Sequence, residues 1–163
     1  IILYNVPGRT GSNMSVETTL ALAEISNIVA VKEASGNMEQ IMDIIRQRKP
    51  HFGVLSGDDN LTMPLIAAGA DGVISVVANA FPEKFSQMVH AAMAGDLSLA
   101  KAAHYDLFAV TKMFFEEGNP GGVKVALTAR GLMQETMRLP LFPVSDGLRT
   151  RIQAETKSIL AAH

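Results

Sequence analysis

Four short runs rich in β-branched and other apolar residues recur along the first half of the chain. Each run is too apolar to be a strand with one face in water, and near-continuous apolar runs of this length are typical of buried parallel strands. We therefore predict four buried strands, at Ile1 to Tyr4, Ile28 to Lys32, Phe52 to Ser56 and Gly72 to Val77.

Amphipathic stretches of helical period lie between these runs. The predicted helices are Ser15 to Ile25, Asn37 to Arg48 and Leu61 to Ala68, with Ser15, Asn37 and Asp59 as N-caps. Because proline is poorly tolerated beyond the first helical turn, we place the start of the third helix near Pro64. The alternation of strand and helix predicts an α/β fold with a parallel sheet, either open and doubly wound or closed as a barrel.

The pattern changes after Val77, because only helical stretches follow. They are Pro82 to Ala94, Leu97 to Glu117, Gly121 to Met133 and Ser145 to Ala161. We interpret residues 1–80 as a strand-containing region, and residues 81–163 as its last helix followed by an appended helical region.

Composition excludes several classes of function. Apolar residues make up 48% of the chain and charged residues 18%, a balance that favours a globular core over disorder. The 14 basic and 16 acidic side chains form no run of like charge, so we expect no nucleic-acid partner. The absence of cysteine excludes disulfides, thiolate zinc sites and cysteine nucleophiles, and it favours a reducing compartment such as the cytoplasm.

No apolar run approaches the roughly 20 residues of a membrane helix, so we expect no membrane span. The chain begins inside an apolar strand, without an initiator methionine and without the basic segment that opens a signal peptide. We therefore expect it to be a cut piece of a longer chain.

A lysine closes the second predicted strand, at the edge of the sheet where ligands of parallel α/β proteins bind. Burying an ammonium group is costly, so Lys32 should find a counter-charge or lose its proton, and a neutral amine can attack a ketone to form an iminium. The alternative is that Lys32 reaches the rim of the sheet and extends its ammonium group into water.

Two further residues at this edge fit the same chemistry. Tyr4 ends the neighbouring strand, so its phenol could relay protons to and from the Lys32 amine. A tyrosine at that position could equally pack its ring and leave its hydroxyl in solvent. Arg9 lies in a Pro-Gly turn, where its guanidinium could bind a carboxylate through two parallel hydrogen bonds or could be an ordinary exposed arginine.

Other polar clusters have structural interpretations. We favour a capping role for Asp58 and Asp59 over a metal site, because no histidine is suitably spaced. The segment Gly118 to Lys124 lacks the spacing of a phosphate-binding loop and is better explained as a helix break. The four histidines form no ligand set, so we predict no metal.

The two motifs at the ends of the first two strands resemble those of the dihydrodipicolinate synthase family. They are Tyr4-Asn5-Val6-Pro7-Gly8-Arg9-Thr10-Gly11 and Val31-Lys32-Glu33-Ala34-Ser35-Gly36-Asn37. The segments 56–59, 69–76 and 119–124 also look like that family, in its order and spacing. The segments are spread along the chain, and the resemblance covers essentially all of it.

The resemblance implies a lyase of lysine (diaminopimelate) biosynthesis that condenses pyruvate with aspartate-4-semialdehyde and uses no cofactor. It implies that Lys32 forms the Schiff base, Tyr4 relays protons and Arg9 holds the carboxylate of the semialdehyde. It further implies that Gly57 and Ile74 line the pyruvate pocket through backbone groups. The related lyases of N-acetylneuraminate and 2-keto-3-deoxy sugar acids remain an alternative.

The resemblance also places this chain as strands five to eight of a TIM (β/α)8 barrel, followed by the C-terminal helices. An N-terminal half-barrel would then be needed as a partner, and the family implies a homodimer or homotetramer. A further alternative is a catalytically silent assembly piece, because four strands alone leave two sheet edges open.

Overall fold

The four strands form one parallel sheet in the order of the chain. The computed structural model describes residues 1–161, and in it each strand pairs with the next one along the sequence. The strands are β1 (Ile2–Asn5), β2 (Ala30–Glu33), β3 (Gly53–Ser56) and β4 (Gly72–Val73). The prediction of an α/β fold with a parallel sheet is confirmed.

The fourth strand is shorter than predicted. It ends at Val73, and residues up to Val77 are not part of the sheet. Only Gly72 and Val73 have register partners on β3, because β3 itself ends at Ser56. A 3₁₀ turn, Val77–Asn79, begins where the apolar run ends. The prediction of a strand through Val77 was therefore wrong: an apolar run needs a neighbouring strand to pair with, and β3 provides none beyond Ser56.

Eight α-helical segments and a second 3₁₀ turn, Asp59–Leu61, complete the described residues. The helices are α1 (Pro7–Thr10), α2 (Val16–Leu22), α3 (Met38–Gln47), α4 (Thr62–Ala67), α5 (Pro82–Met93), α6 (Leu97–Glu116), α7 (Gly121–Ala129) and α8 (Asp146–Ala161). The single turn α1 was not predicted. The end of α7 falls before the predicted Met133, where Gly131 adopts a left-handed φ of 73°.

Two of the three predicted N-caps are confirmed. The Ser15 hydroxyl accepts a hydrogen bond from the Thr18 N–H at 3.2 Å, and the Asn37 side-chain oxygen accepts one from the Gln40 N–H at 3.1 Å. The third prediction was wrong by one residue. Asp58 has the extended backbone of a cap and accepts from the Asn60 N–H, whereas Asp59 is already in the 3₁₀ turn.

One face of the sheet packs against helices. Side chains alternate between the two faces of a strand, and the register partners Leu3, Val31 and Val54 point to the same face. That face packs in an apolar core that includes Ile44 of α3 and Leu65 of α4, and all of these except the partly buried Leu3 are fully buried. Burial of each such side chain stabilises the fold by roughly 1.5–3 kcal/mol.

The opposite face of the sheet is open over residues 1–161. Its side chains include Tyr4 and Ile74, which are 49% and 44% exposed, and Ile2 is 50% exposed. The prediction that all four strands are buried was therefore wrong for this face. Apolar composition indicates that a strand can be buried on both sides, but burial also requires a second layer.

The described residues divide into two compact units. Residues Ile1–Ser75 and Val89–Leu97 form the first, and Val76–Met88 with the residues from Ser98 onward form the second. In the second unit, the Phe81 and Phe114 rings stack with centroids 6.3 Å apart, and Gly122 lies so close to the Phe114 backbone that a Cβ would collide with it. The domain division predicted at residue 80 stays a prediction. Across residues 1–161, no helix is both long and apolar enough to cross a membrane.

An ion pair fastens the end of α3 to the start of β4. Arg48 donates to both carboxylate oxygens of Asp71 and to the carbonyls of Phe52 and Gly69, and Asp71 also accepts from the Val54 N–H at 2.7 Å. Partial burial acts to raise the pKa of Asp71. The hydrogen bonds from Arg48 and Val54 and the guanidinium charge outweigh it, so the pKa lies below its usual 3.8.

Replacing Asp71 by asparagine should destabilise the chain in a pH-dependent way. The folded-state pKa is below the unfolded value, so the carboxylate contributes stability above about pH 4 that is lost as the pH falls through the folded pKa. We expect Asp71→Asn to lower the free energy of unfolding by roughly 1 kcal/mol at pH 7, since the pair is part-exposed, and by less below pH 4. Urea unfolding at both pH values measures this, and an equal loss at both would contradict it.

Candidate active site

The pairing of β1 with β2 brings Tyr4 and Lys32 together. The two residues are register partners in the parallel sheet, so their side chains leave the same face side by side. The Lys32 Nζ lies over the Tyr4 ring, 4.1 Å from its centroid. An ammonium group in this position is attracted to the electron-rich ring face. No carboxylate within residues 1–161 forms an ion pair with Lys32.

Gly57, which directly follows β3, borders the Lys32 side chain. A Cβ at position 57 would stand 2.9 Å from the Lys32 Cε and 2.8 Å from the Ala34 Cβ. Both distances are shorter than atoms in a protein tolerate, and Ala34 has no flexible end that could move. A side chain at position 57 would therefore displace both Ala34 and the Lys32 side chain.

The backbone amides of Gly57 and Ile74 are already used by the sheet. The Gly57 N–H donates to the Glu33 carbonyl at 2.6 Å, and the Ile74 N–H donates to the Ser56 carbonyl at 2.9 Å. Any backbone contact of these residues with a ligand must therefore come from their carbonyl groups. The Ile74 side chain is itself exposed, on the side of the sheet that carries Tyr4 and Lys32.

Arg9 lies in α1, directly after β1. The turn begins with hydrogen bonds to the Val6 carbonyl, and it ends at Gly11, whose left-handed φ of 71° favours glycine. The Arg9 guanidinium is exposed and makes no hydrogen bond or ion pair with another residue of the described chain. It is available to an anion at the carboxyl edge of the sheet.

A buried polar pair at the same edge was not predicted. Asn5 and Glu33 are the last residues of β1 and β2, they are register partners, and they are 3% and 0% exposed. Both residues stood in the strand-end motifs. The sequence did contain a signal for this pair, because Asn5 and Glu33 each directly follow the predicted end of a neighbouring strand. Register partners at such positions point to the same face.

The remaining polar candidates have structural roles. Asp58 caps the turn before α4, and Gly121 and Gly122 of the segment 118–124 allow close packing of α7. Residues 1–161 contain no group of three or more histidine or acidic side chains that could hold a metal ion. His104 packs with Tyr105 and Phe108 on α6, and burial lowers its pKa.

Substitution of Gly57 should move the Lys32 amine away from Tyr4. The ε-methylene protons of Lys32 lie near the ring face, where the aromatic ring current shifts their NMR signals upfield. In Gly57→Ala the added methyl group collides with the Lys32 Cε, so we expect this shift to shrink, and in Tyr4→Leu to vanish. Lys101, on the exposed side of α6, provides the control signal. A Lys32 signal unchanged in both variants would contradict the geometry.

Known proteins of one family match this chain along nearly its whole length. Residues 1–159 match the profile of the dihydrodipicolinate synthetase family. A 4-hydroxy-tetrahydrodipicolinate synthase of Parabacteroides distasonis is 51% identical over 144 residues, which cover 88% of this chain and 48% of the relative.

Solved structures show the same likeness. The crystal structure of dihydrodipicolinate synthase from Aquifex aeolicus has a TM-score of 0.93 at 42% identity, and the match covers 97% of this chain and 54% of the other. A monomeric dihydrodipicolinate synthase variant has a TM-score of 0.92 at 36% identity, with 99% and 55% covered. The chain thus spans about half the length of the relatives it matches. The extent of this similarity shows that the chain belongs to the dihydrodipicolinate synthetase family.

Proposed function

We propose that this chain carries the Schiff-base lysine of a lyase that condenses pyruvate with aspartate-4-semialdehyde to 4-hydroxy-tetrahydrodipicolinate, in lysine (diaminopimelate) biosynthesis. The observation that carries the proposal is Lys32, whose Nζ lies over the Tyr4 ring on the open face of the sheet. Relatives named for this synthase support the substrates. The whole reaction is proposed for the completed protein, in which further strands close the sheet into a barrel, and not for this chain alone.

The first half of the reaction converts pyruvate into a carbon nucleophile. The neutral Lys32 amine attacks the ketone carbon, and the resulting carbinolamine loses water to give an iminium ion. The positive nitrogen withdraws electrons from the neighbouring methyl group. Loss of a proton from that methyl group then gives an enamine.

The second half joins the two substrates and releases the lysine. The enamine carbon attacks the aldehyde carbon of the semialdehyde, which forms the new carbon–carbon bond and regenerates the iminium. The amino group of the former semialdehyde then attacks the iminium carbon, closes the ring and expels the Lys32 amine. One water leaves in the whole sequence, and no oxidant or reductant is needed.

The other site residues serve these steps. The Lys32 Nζ lies over the Tyr4 ring, so the Tyr4 phenol is the group we assign to carry protons to and from the carbinolamine. Arg9, exposed and without a partner in residues 1–161, binds the carboxylate of the semialdehyde. Gly57 leaves room for the iminium, and the carbonyls of Gly57 and Ile74 with the Ile74 side chain line the pyruvate pocket.

The open face of the sheet supports a barrel that is completed by further strands. Parallel sheets are normally covered on both faces, yet Tyr4 and Ile74 are exposed here, and the free sides of β1 and β4 are unpaired edges among the described residues. We propose that the four strands are half of a (β/α)8 barrel. Their assignment to strands five to eight stays a prediction, because the shares of length covered do not assign a position.

The proposed partner that closes the barrel is therefore a second half-barrel. We further propose that the completed protein assembles into a homo-oligomer, such as a dimer or tetramer. One solved relative is a monomeric variant, so assembly beyond the barrel is tested separately from closure. The competing hypothesis is a silent assembly piece, which the same open edges motivate. Sedimentation and activity of the chain, alone and joined to the unmatched part of the Parabacteroides distasonis relative, separate the two. A cytoplasmic location stays a prediction.

Trapping with borohydride tests the role of Lys32. Reduction of the iminium fixes pyruvate on the lysine nitrogen, so we expect the completed protein to gain the corresponding mass at Lys32 when pyruvate and borohydride are present together. Lys32→Arg should abolish the adduct and turnover, while Lys101→Arg should retain both. Peptide mass spectrometry locates the adduct, and labelling at random lysines without Lys32 would remove the lyase hypothesis.

Steady-state kinetics test Arg9 and the identity of the second substrate. Loss of a bidentate carboxylate contact should raise the KM for aspartate-4-semialdehyde by roughly ten- to hundredfold in Arg9→Ala, with little change in the KM for pyruvate. Arg46→Ala, which removes an exposed arginine of α3 paired with Asp43, is the matched control. Turnover of N-acetylneuraminate or 2-keto-3-deoxy sugar acids in preference to the semialdehyde would favour a sibling lyase instead.

A further inference from the structure

A buried carboxylate without a cationic partner lies behind the Lys32–Tyr4 pair. Glu33 follows Lys32 on β2 and points to the opposite face, where it is fully buried. Its Oε1 accepts a hydrogen bond from the Asn5 Nδ2 at 2.7 Å, and Asn5 follows Tyr4 on β1. The two strand ends are therefore joined by a side-chain bond directly adjacent to the proposed site.

The remaining acceptors of Glu33 are also occupied. Its Oε2 accepts from the Ser35 hydroxyl at 2.7 Å and from the Ser35 N–H at 3.2 Å, and its Oε1 accepts from the Gln40 Nε2 at 3.3 Å. Every partner is neutral, and every one donates. The carboxylate thus fixes the segment that leads from β2 into α3.

Asn5 fixes the segment that leaves β1 in the same way. Its side-chain oxygen accepts from the Met14 N–H at 3.0 Å, and its Nδ2 donates to the Asn13 side-chain oxygen at 2.9 Å. The loop that carries Arg9 begins at Asn5 and returns to it at Met14. One side chain therefore holds both ends of that loop.

Packing alone does not require this arrangement. Two apolar side chains at these strand ends would fill the volume without removing a carboxylate from water, and such replacements of buried polar groups are often neutral or stabilising. Unlike apolar contacts, the hydrogen bonds of the polar pair are directional. They therefore fix the distance and orientation of the strand ends.

We propose that Asn5 and Glu33 are positioning residues that hold the Lys32 amine over Tyr4 and the Arg9 loop beside them. The inference rests on the proposed function for its catalytic consequence. The positional part is independent, because the contact between Lys32 and Tyr4 exists without substrate. Neither Asn5 nor Glu33 touches the substrate in this account.

The hydrogen-bond pattern permits a reciprocal test. In Glu33→Gln, one orientation of the new amide places its NH2 against the Asn5 NH2, and the other places it against the Ser35 N–H, so one donor always faces a donor. In Asn5→Asp, two carboxylates meet. In the double variant Asn5→Asp/Glu33→Gln, the glutamine donates to the aspartate and its oxygen accepts from Ser35, which restores the bond in the reverse direction. The amides of Asn13 and Gln40 must rotate with it, so that Asn13 donates to the aspartate and the Gln40 oxygen accepts from the glutamine.

Two readouts follow this cycle of variants. The ring-current shift of the Lys32 ε-protons, measured in the 163-residue chain, reports position without any substrate. The rate of pyruvate trapping at Lys32, measured in the completed protein, reports reactivity. Ile44→Val, a core change away from the pair, is the control for a general loss of stability. Thermal unfolding of every variant is recorded alongside.

We expect each single variant to lose most of the ring-current shift and to form the adduct roughly ten- to hundredfold more slowly, with the double variant restored to within about threefold. If either single variant does not fold, the double variant carries the test. Single variants that melt earlier yet keep the wild-type shift and rate would overturn the proposal, and so would a double variant that regains stability only. Absence of any adduct in the unmodified protein would instead remove the proposed function, and the ring-current cycle would still decide the positioning role.

Discussion

The parallel pairing of β1 with β2 determines which side chains lie next to each other at the carboxyl edge of the sheet. Because side chains alternate along a strand, one register places Tyr4 beside Lys32 on the open face and Asn5 beside Glu33 on the covered face. A slip of β2 by one residue would separate both pairs and turn the lysine side chain toward the covered face, where α2 and α3 pack. The juxtaposition of Tyr4 with Lys32 and that of Asn5 with Glu33 are therefore consequences of a single register.

The two faces of the sheet have different energetic roles. On the covered face, Val31 and Val54 pack with the helices, and their burial supplies stability. On the open face, Tyr4 and Ile74 remain exposed, which leaves apolar area that a second layer would bury. The proposed half-barrel would account for this asymmetry, since the interior of a barrel is filled by inward side chains from all of its strands.

Much of this arrangement could be predicted from local patterns. Apolar runs located the strands, polar caps located α2 and α3, and the rule that parallel strands end at one edge brought Lys32 and Tyr4 together. Other features depend on partners that no local pattern contains. The length of β4 depends on where β3 ends, the cap before α4 depends on the backbone of Asp58, and the burial of Glu33 depends on donors from Asn5, Ser35 and Gln40.

We propose that Lys32 bonds covalently to pyruvate beside Tyr4. A crystal structure of the completed protein grown with pyruvate tests it most directly. We expect continuous electron density from the Lys32 Nζ to the ketone carbon, with the ligand between Tyr4 and Gly57. Pyruvate bound elsewhere, or bound at this edge of the sheet with Lys32 unmodified, would contradict it.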